Sequence, residues 1–218
     1  MTAKIYGHPL SIPTRIAQTV AKRVGQEAEF VLVDVIAGAQ FEDSYKKLNP
    51  NQKIPLYQSG DFTLSESYAI AKYLTDRGEE ASALYPREAK TRATIDMHLG
   101  VFNDLKTNAL QLDYQLVINP KMFKVDTDAK VVAKCDATVK KILGEYEAHL
   151  SGKKYILGDS FTILDLIFTL QLLGLAFVSY DFGAEFPTLR KYYDDILAEQ
   201  ADLKAQHDEF HEGLKALA

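Results

Sequence analysis

Three segments of the first 70 residues carry side chains whose types and spacing suit the grip of a small charged ligand. Gly7-His8-Pro9-Leu10-Ser11-Ile12-Pro13-Thr14-Arg15 leads from a short apolar run into a helical pattern. The Ser11 hydroxyl therefore either points at a ligand near the helix start or caps the helix ahead of Pro13. Asn49-Pro50-Asn51-Gln52-Lys53-Ile54-Pro55 places a proline at the entry to a strand-like run. An X–Pro cis bond costs only about 0.5–1 kcal/mol, so Ile54–Pro55 is read either as a cis peptide or as an ordinary edge-strand proline. In the first reading the Ile54 backbone turns outward and can pair with an extended peptide. Leu64-Ser65-Glu66-Ser67-Tyr68-Ala69-Ile70 hands a strand over to a helix. Free N–H groups and the dipole at that helix start favour a carboxylate, Ser67 adds a hydroxyl, and Glu66 offers a partner for an ammonium. Together they suit an amino-acid zwitterion; plain capping by Ser65, with Glu66 in the first turn, accounts for the same residues.

Other chemistries fit poorly. His8 lies only three residues from Ser11 and no G-x-S-x-G elbow is present, which argues against a hydrolase triad. The single cysteine, Cys135, excludes a disulfide framework and a C-x-x-C site, and it reads as a small buried hydrophobe. Among His98, His149, His207 and His211 only the last pair has i,i+4 spacing, without a third ligand, so a solvated face is expected and no metal. Gly158-Asp159-Ser160-Phe161-Thr162-Ile163-Leu164-Asp165-Leu166 reads as structural: Thr162 and Asp165 have capping-box spacing, and Phe161 and Leu166 the staple positions.

The elements that must position these residues change character near residue 80. Before it, the pattern predicts strands at Lys4–Tyr6, Phe30–Val35 (a buried run), Ile54–Gln58 and Asp61–Leu64, the last two joined at Ser59–Gly60. Helices are predicted at Pro13–Val24, Phe41–Leu48 and Ser67–Leu74. The order β-α-β-α-β-β-α implies a parallel pair and a terminal hairpin. Beyond residue 88 only helical spacing appears: Met97 to Val117, Val125–Leu150, Thr162–Phe177, Phe186–Leu197 and Leu203–Leu217. The expected fold class is α/β plus all-α, with a first domain over 1–78, a linker over 79–87 and an all-helical domain over 88–218.

Composition agrees with a folded globular chain. Of 218 residues, 47% are hydrophobic and 25% charged. The net charge of −5 and pI near 5.6 speak against nucleic acid as a partner. Asp165, Thr169, Gln171 and Gly174 interrupt the longest apolar stretch, so no membrane partner is expected. No basic n-region precedes an apolar h-region at the N-terminus, and a cytoplasmic location is the expectation.

Taken in order, NPNQKIP, LSESYAIAKYL and GDSFTILDL resemble the cytosolic glutathione transferase superfamily over nearly the whole chain. The loop GHPLSIPTR is similar to that of serine-type members, the plant phi class especially. The chain departs from that pattern in having no Trp, in Leu164 where alanine is commoner, and in Gln40 where phi members often have histidine. The resemblance implies a thioredoxin-like N-terminal domain, an all-helical C-terminal one, and a homodimer. It implies conjugation of glutathione to small hydrophobic electrophiles, with glutathione as co-substrate and no cofactor; peroxidase activity would need the same thiolate.

By position, Ser11 would donate a hydrogen bond to the glutathione sulfur, with Tyr6 as its rival. Ile54, ahead of Pro55, would pair with the cysteinyl backbone, and Glu66 and Ser67 would hold the γ-glutamyl end. Gln40 and Lys53 would reach the glycyl carboxylate. Leu10, Ile12 and the helix from Phe102 to Tyr114, with Phe123 and Tyr180, would face the electrophile. A relative that keeps this fold as a non-catalytic binding, carrier or regulatory protein is the alternative.

Overall fold

Residues 2–77 and 83–217 are described by the computed structural model, so part of the expected linker lies outside them. The chain divides into two compact units, residues 1–87 with 208–218, and residues 88–207. The end of the last helix thus groups with the first unit.

In the first unit, β1 (Ala3–Gly7) alternates buried Ala3, Ile5 and Gly7 with half-buried Lys4 and Tyr6, as a strand with one covered face should. It lies inside a four-stranded sheet of order β2-β1-β3-β4. β2 (Ala28–Leu32) pairs parallel to β1, while β3 (Leu56–Ser59) pairs antiparallel to both β1 and β4 (Phe62–Ser65). The parallel pair and terminal hairpin expected from the pattern are therefore present, with Gly60 taking the positive φ of 61° that the tight turn requires.

β2 departs from expectation. The apolar run at 30–35 is not a buried strand: β2 is an edge strand, and Phe30 and Leu32 are 39% and 59% exposed. It stops early because Asp34 Oδ1 accepts from the N–H groups of Ile36 and Ala37, folding the chain into a turn. Val33 turns inward, to a cluster with Tyr45 and Leu56 against which half-buried Val35 also packs. A 3-10 turn (Ala39–Phe41) and the short α2 (Asp43–Leu48) replace the single helix expected over 41–48.

α1 (Ile12–Arg23) buries Ile16, Ala17, Val20 and Ala21, the i, i+1, i+4, i+5 stripe that covers one face of a sheet. Gly7 permits its approach: a Cβ there would stand 2.3 Å from Thr14 Cγ2, so any larger residue would push the helix off the strand end. α3 (Ser67–Thr75) packs beside α1 and buries Ile70, Ala71 and Leu74.

The second unit is helical. α4 (Ala89–Asp113) passes into a π-helical stretch (Tyr114–Phe123) that accommodates Pro120, where the pattern had suggested one helix to Val117. α5 (Ala129–His149) starts four residues later than its apolar pattern, because Asp128 caps it through the N–H groups of Lys130 and Val131. α6 (Ile163–Gly174) is the centre of the unit, with every residue from Ile163 to Leu173 buried. It gives way to a 3-10 turn at Leu175–Val178, and the short α7 (Phe182–Glu185) was not anticipated. α8 (Pro187–Glu199) and α9 (Ala201–Leu217) follow.

The capping box at the head of α6 is present and does more than cap. Asp165 Oδ2 accepts from Thr162 N at 2.8 Å, while Oδ1 accepts from Ile156 N and from the Tyr192 hydroxyl, both at 2.9 Å. One buried carboxyl thereby joins the turn before α6, the cap itself and α8. Burial raises its pKa, and these three hydrogen bonds, with a fourth from the Thr162 hydroxyl, act in the opposite direction. Elsewhere in this core Phe102 stacks on Phe168 at 4.9 Å, and buried His98 meets the Tyr146 hydroxyl at 2.5 Å. No helix among the described residues is long and apolar enough to cross a membrane.

Candidate functional site

Strand register brings four segments to one end of the sheet. Tyr6 of β1 faces Leu56 at the start of β3, and Leu56 faces Ser65 at the end of β4. On the other side Gly7 faces Leu32, the last residue of β2. The Ser11 loop, Ile54–Pro55, Glu66–Ser67 and the 33–40 connection all leave the sheet there. With strands about 4.8 Å apart, the ends of β1, β3 and β4 span roughly 10 Å, the length of a short extended peptide. α1 and α3 both begin at this end, so two sets of unpaired N–H groups and two positive dipole ends converge on it.

The Ser11 loop is a locked turn. Ser11 N donates to His8 O at 2.9 Å, Leu10 N to His8 Nδ1 at 3.2 Å, and His8 N to Thr14 Oγ1 at 3.4 Å. His8 Nδ1 is thus an acceptor, and burial lowers the ring's pKa against an upward pull from Asp34. Ser11 caps α1 by accepting from Thr14 N at 3.3 Å. A hydroxyl has one donor and two acceptor sites, so the cap leaves its proton available. Tyr6, by contrast, donates its hydroxyl proton to Gln58 Oε1 at 2.8 Å within the sheet.

Ile54–Pro55 is cis. The residues ahead of it are held from below: Lys53 O accepts from the Tyr45 hydroxyl at 2.8 Å and from Asn49 Nδ2 at 2.6 Å. Burial pushes the Tyr45 phenol up to about 12, so it stays a neutral donor. Ile54 is half-buried, Pro55 buried, and the Lys53 side chain exposed.

Glu66 takes φ 70° and ψ 112°, a backbone state that costs a non-glycine residue roughly 1–3 kcal/mol. Its carbonyl accepts from Ile70 N at 2.9 Å, and its side chain is exposed. Ser67, the first residue of α3, is only 2% exposed, yet its Oγ has no hydrogen-bond partner. The same holds for Oε1 of half-buried Gln40. Buried polar atoms are nearly always paired, so Ser67 Oγ and Gln40 Oε1 stand out as unpartnered.

The remaining sequence-derived positions do not all belong to a pocket wall. Leu10 and Ile12 are half-buried beside Ser11. Phe102 is a correction: it is fully buried and stacked on Phe168, so helical spacing there reported a core residue without surface to offer a ligand. Tyr114 and Phe123 are 40% and 52% exposed, at the two ends of the π-helical stretch. The Tyr180 hydroxyl is buried without a partner, and burial pushes its pKa up to about 12. The histidine pair also differs from expectation, since His207 shares Nδ1 with the Tyr193 hydroxyl at 2.8 Å instead of facing water. Among the described residues no metal-ligand cluster occurs.

Sequence reasoning missed the supports. Thr14 seals Gly7 and orients the His8 turn, and Tyr45 and Asn49 hold Lys53. The Asn within NPNQKIP was a readable signal, whereas Tyr45 sits in α2 with nothing local to mark it. A cleft of about 470 Å³ lined by Ile5, Lys22, Gln26, Ala28 and Phe30 lies toward the other end of β1 and β2, away from these residues.

Comparison with known proteins follows the same division. Residues 1–76 match the glutathione S-transferase N-terminal domain, and residues 105–200 the glutathione S-transferase C-terminal domain. The chain is 37% identical over 164 residues to Glutathione S-transferase 3 of Zea mays, covering 74% of this chain and 73% of that protein. It is 31% identical over 209 residues to Glutathione S-transferase PARB of Nicotiana tabacum, covering 94% and 97%. The solved structure of glutathione S-transferase-I bound with lactoylglutathione superposes with a TM-score of 0.81 at 25% identity, covering 96% of this chain and 100% of that one. A thioredoxin-like domain followed by a helical domain is therefore the class of protein. The chain belongs to the glutathione S-transferase family, and its enzymatic class is that of a glutathione transferase.

Proposed function

We propose that the enzyme conjugates glutathione to small hydrophobic electrophiles, with the Ser11 hydroxyl donating to the sulfur and stabilising its thiolate. A free thiol ionises near pH 8.5, so at neutral pH a donor and a helix N-terminus are needed to favour the anion. The observation that carries this assignment is the contrast between two hydroxyls. Ser11 uses only an acceptor site in capping α1, while the proton of its rival Tyr6 is committed to Gln58. The Ser11 proton never leaves the oxygen; it shortens the path to the thiolate, which then attacks the electrophile.

The other contacts follow from what each group can supply. The orphan Ser67 hydroxyl and the α3 N-terminus suit the γ-glutamyl carboxylate, and the exposed Glu66 carboxylate its ammonium. Ile54 offers backbone pairing to the cysteinyl residue beside Pro55. Lys53 suits the glycyl carboxylate through charge, and the unpartnered Gln40 Oε1 is an acceptor for the glycyl N–H. Leu10 and Ile12 supply apolar contact next to the sulfur. Reduction of organic hydroperoxides uses the same thiolate and belongs to the same proposal.

A homodimer is part of this reading. It is supported by the apolar face where Phe62, 45% exposed, packs on Tyr73 with the Arg77 guanidinium 5.5 Å over the ring, and by Phe41, 58% exposed. Retention on immobilised glutathione, elution by free glutathione, and turnover of a generic aryl halide test the enzymatic reading. A folded sample that binds at millimolar glutathione without any conjugation or hydroperoxide turnover would leave a carrier. A monomeric mass at micromolar protein would remove the dimer.

A further inference from the structure

The segment carrying Ser11 is gripped on both sides by the last turns of the chain. Arg15, one turn into α1, donates its backbone N–H to Ser11 O at 2.9 Å, and its side chain is nearly all buried. Its guanidinium lies 3.6 Å from Glu209 Oε2 and 5.3 Å from the ring centroid of Phe210, itself 1% exposed. Burial lowers the Arg15 pKa and the Glu209 carboxylate opposes that, so the carboxylate offsets part of the cost of desolvating the cation. Gly213, one turn beyond Glu209, approaches Leu10, the residue before Ser11. A Cβ at 213 would stand 2.7 Å from Leu10 Cδ2. Positions 209, 210 and 213 share one side of α9, as i, i+1 and i+4.

We propose that Glu209 and Gly213 are positioning residues for the sulfur-activating hydroxyl: the end of α9 fixes Leu10 and Arg15, and through them the direction of the Ser11 O–H. This rests on the assignment of Ser11 as thiolate donor. The physical requirement is strict, since a hydrogen bond weakens steeply once its angle falls below about 120°. Ser11 is held toward α1 by a cap bond at the long end of the range, 3.3 Å, which by itself does not fix the rotor. The clamp from α9 supplies the rigidity that the cap lacks.

The two contacts predict a signature that differs from simple loss of structure. Glu209→Gln removes a negative charge from the exposed side of the clamp. If its charge acted only through space, the thiol would ionise more readily and the pH–rate profile would move to lower pH. Loosening the Ser11 donor acts in the opposite sense, because a less stabilised thiolate needs higher pH.

The experiment is the pH dependence of kcat with an aryl halide at saturating glutathione, for wild type, Ser11→Ala, Glu209→Gln, Gly213→Val and the double variant Ser11→Ala/Glu209→Gln. Both α9 variants should shift the profile to alkaline pH, with kcat at pH 6.5 down by about tenfold per unit of thiol pKa and recovered near pH 9. Glutathione affinity should stay within about twofold, and the double variant should shift no further than Ser11→Ala alone. An acid shift, an unmoved profile, or a loss equal at every pH in Glu209→Gln overturns the inference, and this exposed position keeps the test valid should Gly213→Val fail to fold. A shifted Ser11→Ala beside an unshifted Glu209→Gln rejects the clamp and leaves the serine reading standing. An unshifted Ser11→Ala rejects the serine reading and the clamp with it.

Discussion

Tyr6 donates its hydroxyl proton to Gln58 Oε1 at 2.8 Å across the β1–β3 ladder. The bond ties up the hydroxyl that rivals Ser11 at the end of β1, and it makes the two residues experimentally separable. Ser11→Ala should slow aryl-halide conjugation and move the pH–rate midpoint to alkaline pH, each unit corresponding to about 1.36 kcal/mol. Glutathione binding should persist. Tyr6→Phe loses one half-buried hydrogen bond, about 1 kcal/mol of stability, and should leave the profile where it was. A silent Ser11→Ala beside a crippled Tyr6→Phe would reverse the assignment.

Ser67 should trade stability against affinity. Its buried Oγ has no partner, so Ser67→Ala removes an unsatisfied polar atom and should leave the denaturant midpoint unchanged or raise it. The same substitution deletes the hydroxyl proposed for the γ-glutamyl carboxylate and should weaken glutathione binding by about 1.5–3 kcal/mol, the range for a hydrogen bond to a charged group. Calorimetric titration and urea unfolding of one protein preparation give both numbers. Lower stability with unchanged affinity would show the hydroxyl to be structural.

Asp165 should be among the costliest single positions in the helical unit. Asp165→Ala strands the N–H groups of Thr162 and Ile156 and the Tyr192 hydroxyl, each worth roughly 1–3 kcal/mol when left unpaired in the interior. Thr162→Ala removes only the acceptor for Leu164 N and a bond to the carboxyl, and should cost about 1 kcal/mol. Equal midpoints for the two variants would contradict this ranking.

His98 should make the fold acid-sensitive. Burial, with smaller contributions from His149 and Lys153, lowers its pKa from 6.5 to about 4. A folded value below the unfolded one means that the stabilisation is complete above about pH 6.5 and is lost as pH falls toward 4, because the ring must then charge inside the core. The full effect is about 3 kcal/mol. Unfolding free energy should fall between pH 6.5 and 4.5 in the wild type, and His98→Gln should flatten that part of the slope. A parallel slope in the variant would assign the acid sensitivity to other groups.

Much of this was legible along the chain because it is local. Gly60 between two short apolar runs encodes the hairpin, Thr162 and Asp165 encode their own capping box, and Ser11 before Pro13 encodes the start of α1, each through groups no more than a few residues apart. Where the readings failed, the deciding contact was distant. The run Phe30–Val35 has the hydrophobicity of a central strand, but its place at the sheet edge depends on which strand pairs with β1 on the far side, and that is β3, more than 20 residues later. Phe102 has the spacing of either a pocket wall or a core residue, and only the ring of Phe168 lying flat against it decides.

The sequence by itself determined the order of the four strands and the main helices and the side chains able to handle a thiolate and a zwitterion, since propensity, capping and turn chemistry act over one or two helical turns. Tertiary structure alone decided that Ser11, Ile54, Glu66 and Ser67 share one end of a sheet, because register between β1, β3 and β4 is a relation among separate segments. It alone decided that the Tyr6 proton goes to Gln58, and that residues 209–213 close on Leu10 and Arg15, to either side of Ser11. A hydrogen bond acts over about 3 Å and carries no record of the chain length between its partners, so contacts across 52 or nearly 200 residues leave no periodic trace to read.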